Sequence, residues 1–581
     1  MAPLAPVRAA PPLTDVRLRA FGPAALTGPA TAHLRALGAA VESSLVPGPT
    51  AHFEVSGGVR AETSWADLCP PGDAADEATV QALTGISHVH GRRDGAPRGL
   101  AADYAATCAS VLTVQGLLAA LLAQARGGST TSVATGADRA ALLTVSQYLA
   151  AAAADEQEAV ELGPGGPPFT SADGVRFELE ALEPGSWAAF WRRLGAPPEA
   201  VRTGWRPFQF RYATATAPLP AELHAAARAA DWPTVQQAAA GSGAEVCRLH
   251  PPTGPGPAAP WDFDLGRPAD RAARLPAGPA LPLTGLTVLE AGRRIQAPLA
   301  AHLLGLLGAD VLRIEPPGGD PLRGMPPCCD DVSARWLALN RGKRAVEIDI
   351  KSRTGQAELT ELAAGADVFL HNWAPGKAEQ LGLDADALGA ANPGLVYAYT
   401  GGWGGRLPGA PIGTDFMVQA RTGVGEVVRA ADEAPAPSLM TLIDVLGGLH
   451  GAEAVLAGLL LRERTGRGVR VESSLLGAAE TLTASATRLR ARRPAGFRRP
   501  LRTADGWVAP ADGSAAGAAA TAAGLRRRPT TEAVAVLRAQ GLTATAVTTD
   551  LRALATDPRL DGALTRDRHG ALAVPTPWRF S

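Results

Sequence analysis

The chain has few cysteines and few aromatic side chains. Aromatic residues make up 5% of the 581 positions, and lysine is scarce. The five cysteines (Cys69, Cys108, Cys247, Cys328 and Cys329) show no metal-ligand spacing. An odd number of cysteines in a long chain fits a reducing compartment better than a disulfide scaffold. We therefore expect a cytoplasmic protein without a metal site.

The chain also lacks long apolar runs and an excess of charge of either sign. No window reaches about 18 uninterrupted apolar residues, so we expect no transmembrane helix. The Pro/Ala-rich N-terminus has no apolar segment typical of a signal peptide. Lysine and arginine total 55 against 56 aspartates and glutamates, which gives a net charge of −1. That balance argues against nucleic acid or an anionic membrane as the main partner and leaves small polar or acidic ligands open.

What the sequence does contain is a tandem repeat. Three pairs of segments match in the same order, namely Ala32-His33-Leu34 with Ala301-His302-Leu303, Ser171-Ala172-Asp173-Gly174 with Thr503-Ala504-Asp505-Gly506, and Pro260-Trp261-Asp262-Phe263 with Pro577-Trp578-Arg579-Phe580. Repeats longer than about 50 residues are whole folds and not solenoid units. We therefore expect two related halves that face each other, as the subunits of a dimer do.

The two halves differ at a position that bears on chemistry. Aligning the apolar segments 118–122 and 456–460 places Ala106 opposite Asp444. Pro29 and Pro298 are equivalent positions near the start of the two halves. Ala106 follows Pro29 by 77 positions, whereas Asp444 follows Pro298 by 146, so the first half lacks about 70 residues that the second keeps. The sequence therefore predicts one working site for the whole chain.

In the second half, apolar segments alternate with helical ones. Strands are predicted near 286–290, 309–314, 345–350, 366–370 and 394–399, with helices over 298–307 and 354–364. This alternation predicts a doubly wound parallel sheet. Asp444 comes just before an apolar helix over 445–463, so its carboxylate is expected at the N-cap or in the first turn. Taken alone, such an aspartate is most simply a helix cap.

The flanking motifs carry a resemblance to a known family. They are 286–290 (Leu-Thr-Val-Leu-Glu), 307–315 (Leu-Gly-Ala-Asp-Val-Leu-Arg-Ile-Glu), 318–324 (Gly-Gly-Asp-Pro-Leu-Arg-Gly), 339–344 (Leu-Asn-Arg-Gly-Lys-Arg), 367–376 (Asp-Val-Phe-Leu-His-Asn-Trp-Ala-Pro-Gly), 413–415 (Gly-Thr-Asp) and 462–468 (Arg-Glu-Arg-Thr-Gly-Arg-Gly). In this order they resemble the family III CoA-transferases, the group that contains formyl-CoA transferase, the carnitine CoA-transferases and α-methylacyl-CoA racemase. The resemblance covers most of 283–581 and, more weakly, the first half.

The resemblance implies an α/β fold with a Rossmann-like large domain, built on a parallel sheet, and a small α/β domain. Two chains of the family interlock as a dimer, so a tandem duplication implies a monomeric pseudo-dimer. We expect a truncated, degenerate large domain over 1–165, its small domain over 166–265 and a linker over 266–282. A CoA-binding catalytic large domain over 283–500 and a shortened small domain with a C-terminal return segment over 501–581 follow.

The resemblance also implies a mechanism and a CoA site. An aspartate at the position of Asp444 attacks an acyl-CoA thioester, and CoA then returns to form an aspartyl-CoA thioester before an incoming carboxylic acid takes it. Coenzyme A is then a substrate thioester and not a permanently bound cofactor. Members of the family bind CoA through the loops after the sheet strands. The CoA contacts that the resemblance implies here are Gln296, Leu339, Asn340, Arg341, Gly342, Asn372, Trp373, Ala374 and Gln380.

Phosphate binding is expected to differ from that of formyl-CoA transferase. Pro316 and Gln380 occupy positions where that enzyme has arginines. Other cations are therefore the candidates for the CoA phosphates, namely Arg313, Arg341, Lys343 and Arg344. Trp373 follows a strand and could either stack on adenine or pack in the core.

Three other functions stay open. The racemases of the family use a histidine as a base immediately before the aspartate that corresponds to Asp415. This chain has Thr414 there, and threonine does not accept a proton near neutral pH. His450 is the candidate substitute base, although a packed core histidine is the simpler interpretation. A CoA-dependent isomerase or intramolecular transferase would use the same aspartate. A CoA-binding protein without turnover is the third alternative, because the first half lacks the carboxylate.

Overall fold

The computed structural model describes residues 7–156, 158, 163–252, 259–269, 281–487, 494–560 and 562–581. The segment 270–280 of the expected linker lies outside the described residues. Strand β10 extends to Pro268, three residues into that expected linker.

The elements alternate along both halves. The strands are β1 Val7–Arg8, β2 Arg17–Gly22, β3 Ala40–Leu45, β4 Thr50–Val55, β5 Arg60–Ser64, β6 Ser132–Gly136, β7 Phe169–Thr170, β8 Arg176–Glu180, β9 Glu245–Arg248, β10 Trp261–Pro268, β11 Thr287–Ala291, β12 Asp310–Glu315, β13 Cys328–Cys329, β14 Val332–Ser333, β15 Arg344–Glu347, β16 Val368–His371, β17 Val396–Gly401, β18 Arg467–Ser474, β19 Leu501–Arg502, β20 Trp507–Pro510, β21 Ala544–Ala546, β22 Thr565–Arg566, β23 Leu572–Ala573 and β24 Arg579–Phe580. The helices are α1 Ala24–Ala36, α2 Glu77–Leu83, α3 Ile86–Gly91, α4 Tyr104–Ala125, α5 Ala137–Thr144, α6 Ser146–Ala152, α7 Pro184–Arg193, α8 Pro198–Thr214, α9 Ala221–Ala229, α10 Trp232–Ala240, α11 Gln296–Leu306, α12 Ala334–Asn340, α13 Arg353–Gly365, α14 Lys377–Leu381, α15 Ala385–Ala391, α16 Asp415–Thr422, α17 Val424–Val427, α18 Leu442–Thr465, α19 Leu475–Thr487, α20 Ala515–Leu525 and α21 Thr530–Ala539.

The second half is built on a sheet whose central strands are all parallel. Its order is β1-β10-β18-β17-β16-β11-β12-β15, and every pair from β18 to β15 is parallel. The strands are short apolar segments separated by helices, as parallel pairing requires. This arrangement confirms the predicted α/β class with a Rossmann-like parallel sheet.

The first half has a shorter sheet of mixed direction, in the order β24-β6-β5-β4-β2-β3. Strand β4 occupies the place that β16 has in the second half but runs antiparallel to both of its neighbours. Tight connections from β3 through β4 to β5 therefore replace the helices and loops that the second half carries between β12 and β17. The missing residues of the first half are those helices and loops, which in the second half carry most of the predicted CoA contacts.

The two halves exchange their closing strands. Strand β10, which carries the Trp261 motif of the first half, pairs antiparallel with β18 of the second half. Strand β24, which carries the matching motif at 577–580, pairs antiparallel with β6 of the first half. Each sheet is thus completed by the other half, so the duplicated halves form an interlocked pseudo-dimer within one chain.

A single apolar core runs through both halves. Its centre is the contact of α4 with α18, where Tyr104 Oη donates to the Leu442 carbonyl (3.0 Å) and Gln115 Nε2 to the Leu449 carbonyl (2.7 Å). By length and composition alone both helices could cross a membrane, but 94% of each apolar window is buried inside the protein. Burial on all sides accounts for their composition.

Two small domains complete the molecule. Strands β7 to β9 with α7 to α10 form that of the first half, around an aromatic core that includes Phe177, Trp187 and Trp191. Strands β19 to β21 with α20 and α21 form that of the second half, around a smaller core. The first small domain contacts the second large domain: Thr414 Oγ1 donates to Glu180 (2.8 Å).

Candidate active site

A cavity of about 250 Å³ lies between the first small domain and the second large domain. The first half contributes one wall, from Gln147, Gln209, Phe210, Tyr212 and Ala213. The second half contributes the rest, from Arg294, Ile295, Leu322, Met325, Arg335, Trp336, Leu339, Asn340 and Asp444. Because residues of both halves line it, neither half forms this cavity alone.

Asp444 is the third residue of α18, which confirms its predicted place in the first helical turn. Thr441, the N-cap residue just before the helix, is a β-branched residue at φ 53°, in the left-handed region. Strained backbone conformations of this kind cluster at functional sites in proteins. Asp444 remains partly exposed on the cavity side.

The capping role expected of a lone aspartate belongs instead to Asp415. Its Oδ2 accepts the backbone N–H groups of Ile443 (2.7 Å) and Asp444 (2.8 Å). In the described part of the chain no group donates a hydrogen bond to the Asp444 carboxylate. Both amides therefore donate to Asp415 and are not available to an oxyanion.

A buried network holds Asp415 in place. Gln419 donates to Asp415 Oδ1 and forms two further bonds with the backbone of Ser438, at 2.8 Å and 2.9 Å. Burial raises the pKa of Asp415 to about 6, against the opposing effect of the hydrogen bonds that it accepts. The capping carboxylate is thus fixed on every side.

The pKa of Asp444 is raised well above the ordinary value for an aspartate. Burial is the main cause, and the negative charge of Asp415 adds to it, with a smaller contribution from Glu180. The guanidinium of Arg294 acts in the opposite direction and favours the ionised form. A weakly solvated carboxylate facing a cavity is suited to act as a nucleophile.

Glu180, on β8 of the first half, links the two halves beside Asp444. It accepts hydrogen bonds from Tyr212, Thr414 (2.8 Å) and Arg211 (3.2 Å). Burial raises and the Arg211 charge lowers the pKa of Glu180, and the net direction is down. Glu180 is therefore an ionised, fully bonded group that fixes the first-half wall of the cavity.

Arg294 is the cation on the rim of the cavity. It lies on the loop between β11 and α11 at φ 62°, and its guanidinium is 5.5 Å from the centre of the Tyr212 ring. Among the described residues it forms no ion pair, whereas the other lining arginine, Arg335, donates to Glu158, Pro326 and Ala213. Arg294 is thus free to meet an anion entering the cavity.

The first half repeats this architecture without the carboxylate of Asp444. Ala106 is the third residue of α4, as Asp444 is of α18. Glu77 takes the place of Asp415 and accepts the N–H groups of Ala105 (2.8 Å) and Ala106 (2.9 Å). Gln81 bonds to Glu77 as Gln419 does to Asp415. Ala106 itself is fully buried in the apolar core, whereas Asp444 is partly exposed and lines the cavity.

Some predicted CoA residues lie near Asp444. Leu339 and Asn340 line the cavity with it. Gln296 begins α11, which crosses α18 closely: a Cβ at Gly447 would lie 2.9 Å from Gln296 Nε2. Contrary to the expectation that 339–342 follows a strand, Leu339 and Asn340 end helix α12, and Arg341 and Gly342 lead into β15.

The remaining predicted CoA residues follow β16. Asn372 forms two hydrogen bonds with the backbone of Arg293, at 2.8 Å and 3.0 Å, and so fixes the loop that carries Arg294. The Trp373 ring is buried against Phe369 and His371. Of the two interpretations of Trp373, stacking on adenine or packing in the core, this position agrees with packing. Ala374 and Gln380 are exposed. Their contact with CoA stays a prediction.

The four cations considered for phosphate binding are all paired within the protein. Arg313 and Lys343 both contact Glu290, Arg344 contacts Asp310, and Arg341 lies 3.8 Å from Asp567 while donating to the Leu572 carbonyl. Phosphate binding by any of them would disrupt an existing pair. Arg293, exposed on the loop after β11 and without an ion pair in the described residues, was not among the candidates.

Sequence reasoning missed the roles of Asp415, Glu180, Tyr212 and Arg294. One signal was available for the first of these: Val80-Gln81-Ala82 and Thr84-Gly85 repeat as Val418-Gln419-Ala420 and Thr422-Gly423. That match places Glu77 opposite Asp415 and points to a shared capping carboxylate. The Glu180 and Tyr212 contacts join distant parts of the chain, so no local pattern indicates them.

Known proteins resemble this chain over part of its length. It is 37% identical over 196 residues to a probable fatty acyl-CoA transferase of Mycobacterium tuberculosis, which is 32% of this chain and 49% of that protein. It is 34% identical over 198 residues to the mouse succinyl-CoA:glutarate CoA-transferase, 34% of this chain and 45% of that protein. The chain spans about half the length of the curated relatives that it matches.

Another relative is the acetyl-CoA:oxalate CoA-transferase of Acetobacter aceti, 34% identical over 203 residues, which is 34% of this chain and 52% of that protein. Among solved structures, a CaiB/BaiF family protein of Brucella suis is 27% identical, with a TM-score of 0.47, over 52% of this chain and 93% of that chain. The sequence model of CoA-transferase family III matches two segments, 71–254 and 283–529, one in each half. The chain belongs to CoA-transferase family III.

Proposed function

We propose that this chain is an acyl-CoA:carboxylate CoA-transferase with Asp444 as its nucleophile. The observation that carries the proposal is the division of roles at the start of α18. Asp415 caps the helix, so Asp444 has no structural hydrogen bond to maintain and presents its carboxylate to the cavity. Family membership supports the same chemistry.

The proposed reaction has four transfers. The Asp444 carboxylate attacks the thioester carbonyl, forms a mixed anhydride and releases CoA thiolate. The thiolate attacks the Asp444 carbonyl, which gives an aspartyl-CoA thioester and the free donor acid. The acceptor carboxylate attacks that thioester and again releases CoA thiolate, which finally attacks the acceptor carbonyl. The products are a new acyl-CoA and the original Asp444 carboxylate.

The groups around Asp444 supply orientation and electrostatics. Arg294 lines the cavity, and its positive charge favours the ionised form of Asp444 that must attack the thioester. Leu339 and Asn340 line the cavity, and Gln296 lies at the crossing with α18. For the CoA phosphates we propose Arg293, because the other cations considered are paired.

We infer that the acceptor is an acid with a second carboxylate. Relatives carry the names succinyl-CoA:glutarate, succinyl-CoA–L-malate and acetyl-CoA:oxalate CoA-transferase, all of which name dicarboxylic acids. Arg294 lies on the cavity rim without an ion pair in the described chain. A distal carboxylate bound to Arg294 would leave the reacting one directed at Asp444.

Racemisation is less well supported. Thr414 donates to Glu180 and is not a base, and the His450 ring packs against His33 and Trp261 inside the core, away from the cavity lining. An isomerase or intramolecular transferase would use the same nucleophile and stays an alternative. A cytoplasmic location and the absence of nucleic-acid or membrane partners stay predictions.

The test replaces Asp444 with asparagine. This change removes the negative charge while keeping the shape, and we expect at least a thousand-fold loss of CoA transfer, about 4 kcal/mol in activation free energy. CoA binding, measured by calorimetry, should remain nearly unchanged. In the parent protein, hydroxylamine added during turnover should leave a hydroxamate at Asp444, found by peptide mass spectrometry.

Two results would contradict the proposal. One is an asparagine variant that keeps more than a tenth of the parent rate. The other is a hydroxamate on Asp415 in place of Asp444. A parent protein that binds CoA but gives neither adduct nor turnover with a panel of acyl-CoAs would favour the non-catalytic CoA-binding alternative.

A further inference from the structure

A second cluster of reactive side chains lies in the core, apart from the cavity. It consists of His33 on α1 of the first half with His450 and Glu453 on α18 of the second. One ligand atom from each residue can be chosen such that all lie within 4.8 Å of one another. His33 Nδ1 is 3.2 Å from Glu453 Oε1 and 3.3 Å from Oε2. All three side chains are buried.

The polar atoms of this cluster are incompletely satisfied. Both ring nitrogens of His450 are buried and have no hydrogen-bond partner in the described part of the chain. The indole nitrogen of Trp261, whose ring lies 5.2 Å from His33 and 6.1 Å from His450, is also unpartnered there. Buried polar groups nearly always have a partner, so these atoms point to a bound species.

The tandem repeat shows that helix packing does not require the cluster. The positions equivalent to His33, His450 and Glu453 are His302, Leu112 and Gln115. Gln115 bonds to the Leu449 carbonyl, and His302 to the backbone of Arg341. The two sets of positions lie on equivalent helices. Only the set with His33 combines two imidazoles with a carboxylate.

We propose that His33, His450 and Glu453 bind a zinc ion that joins the first half to the second. Two imidazoles and one carboxylate are a ligand set that zinc takes in tetrahedral sites, with a solvent molecule in the fourth position. Ligand atoms in such a site lie about 3.3 Å apart, as bond lengths of about 2.0–2.2 Å require. The His33 and Glu453 atoms already have this spacing, and a ligand atom of His450 lies within 4.8 Å of both.

Glu453 would contribute the anionic ligand, and the two histidines would bind as neutral imidazoles, which is the protonation that metal ligation requires. The site is independent of the proposed transferase reaction.

The test measures metal content in protein produced in zinc-supplemented medium and purified without a metal-affinity step. We expect inductively coupled plasma mass spectrometry to find about one zinc per chain. When cobalt replaces zinc, the protein should show visible absorption bands. His450→Leu and Glu453→Gln, which copy the residues of the other half, should reduce the zinc content at least tenfold. His302→Gln is the matched control and should keep it.

Parent protein that contains no zinc would overturn the proposal, and this result does not depend on any variant folding. Zinc that persists undiminished in His450→Leu and Glu453→Gln would place the ion elsewhere and would also overturn it. As a further readout, a chelator present during heating should lower the melting temperature of the parent and leave that of His450→Leu unchanged.

Discussion

At the scale of single residues, two aspartates near the start of α18 have different roles: Asp444 belongs to that helix, and Asp415 of α16 caps it. Asp415 receives the helix amides and is fixed by Gln419, whereas Asp444 receives no hydrogen bond in the described chain. The ionised form of Asp444 is disfavoured by burial and by the Asp415 charge, and is favoured by Arg294. Reactivity of Asp444 therefore depends on its neighbours as much as on its own position.

A pH profile can test this dependence. Because the attack needs ionised Asp444, whose pKa is raised, the rate should fall as the pH drops through that pKa. Arg294→Gln removes the positive charge that favours ionised Asp444. The fall in rate at low pH, the acid limb of the profile, should therefore move to higher pH. The KM for a dicarboxylic acceptor should also rise, by about tenfold for the loss of a charged hydrogen bond.

The comparison for Arg294→Gln is a monocarboxylic acceptor of similar length. Its KM should change little, since it has no distal carboxylate for Arg294. Equal losses for both acceptors, with an unmoved acid limb, would show that Arg294 has neither role.

At the position equivalent to Asp444, a small polar residue should make little difference. Ala106 is buried within α4, and a serine hydroxyl there can bond to the helix backbone. Ala106→Ser should leave the steady-state turnover within a few-fold of the parent. A loss as large as that of Asp444→Ala, in a protein with an unchanged circular dichroism spectrum, would reveal chemistry in the first half.

At the scale of elements, the same capped helix occurs twice. Glu77 and Asp415 each accept two amides at the start of a central helix. Glu77→Gln and Asp415→Asn each place an amide nitrogen where an acceptor is needed. Each should lower the free energy of unfolding by about 1–3 kcal/mol in denaturant titrations.

The two variants should differ in catalysis. Asp415→Asn removes a negative charge that raises the pKa of Asp444, so the acid limb of its rate profile should move to lower pH. Glu77→Gln should leave that limb in place. An identical limb in both variants would mean that the Asp415 charge does not act on Asp444.

Local sequence patterns predicted the elements that depend on local forces. The apolar strands β11 and β12 and the long helix α18 follow from periodicity, and the loss of about 70 residues follows from the unequal spacing to Ala106 and Asp444. The direction and the pairing of the strands were harder to predict from the sequence. Strand β4 reverses because its connections are short, and nothing in Thr50–Val55 itself distinguishes the two directions.

The candidate site was predictable only in part, because its cavity joins distant segments. Asp444, Leu339 and Asn340 belong to motifs of the second half, and sequence reasoning named them. Tyr212 lies on the opposite wall, more than 200 positions away, and Glu180 reaches Thr414 across 234. Such contacts depend on how the halves interlock, which no spacing rule encodes.

At the scale of the whole molecule, the exchanged strands occupy surfaces that would otherwise pair two chains. Strand β10 closes the second sheet and β24 the first, so the duplicated interface lies inside one polypeptide. We expect light scattering to give a mass near 59.5 kDa at all concentrations tested. A stable dimer that separates only on unfolding, with halves exchanged between chains, would contradict this.

The same exchange sets an order of events during synthesis on the ribosome. Strand β6 leaves the ribosome early, yet its partner in β24 lies about 450 positions later. At about 5–20 residues per second, translation of that interval takes roughly 20–90 seconds. Throughout this time the nascent first half presents an unpaired sheet edge, the kind of surface that invites aggregation. Translation speed and chaperone protection therefore become determinants of the yield of this protein.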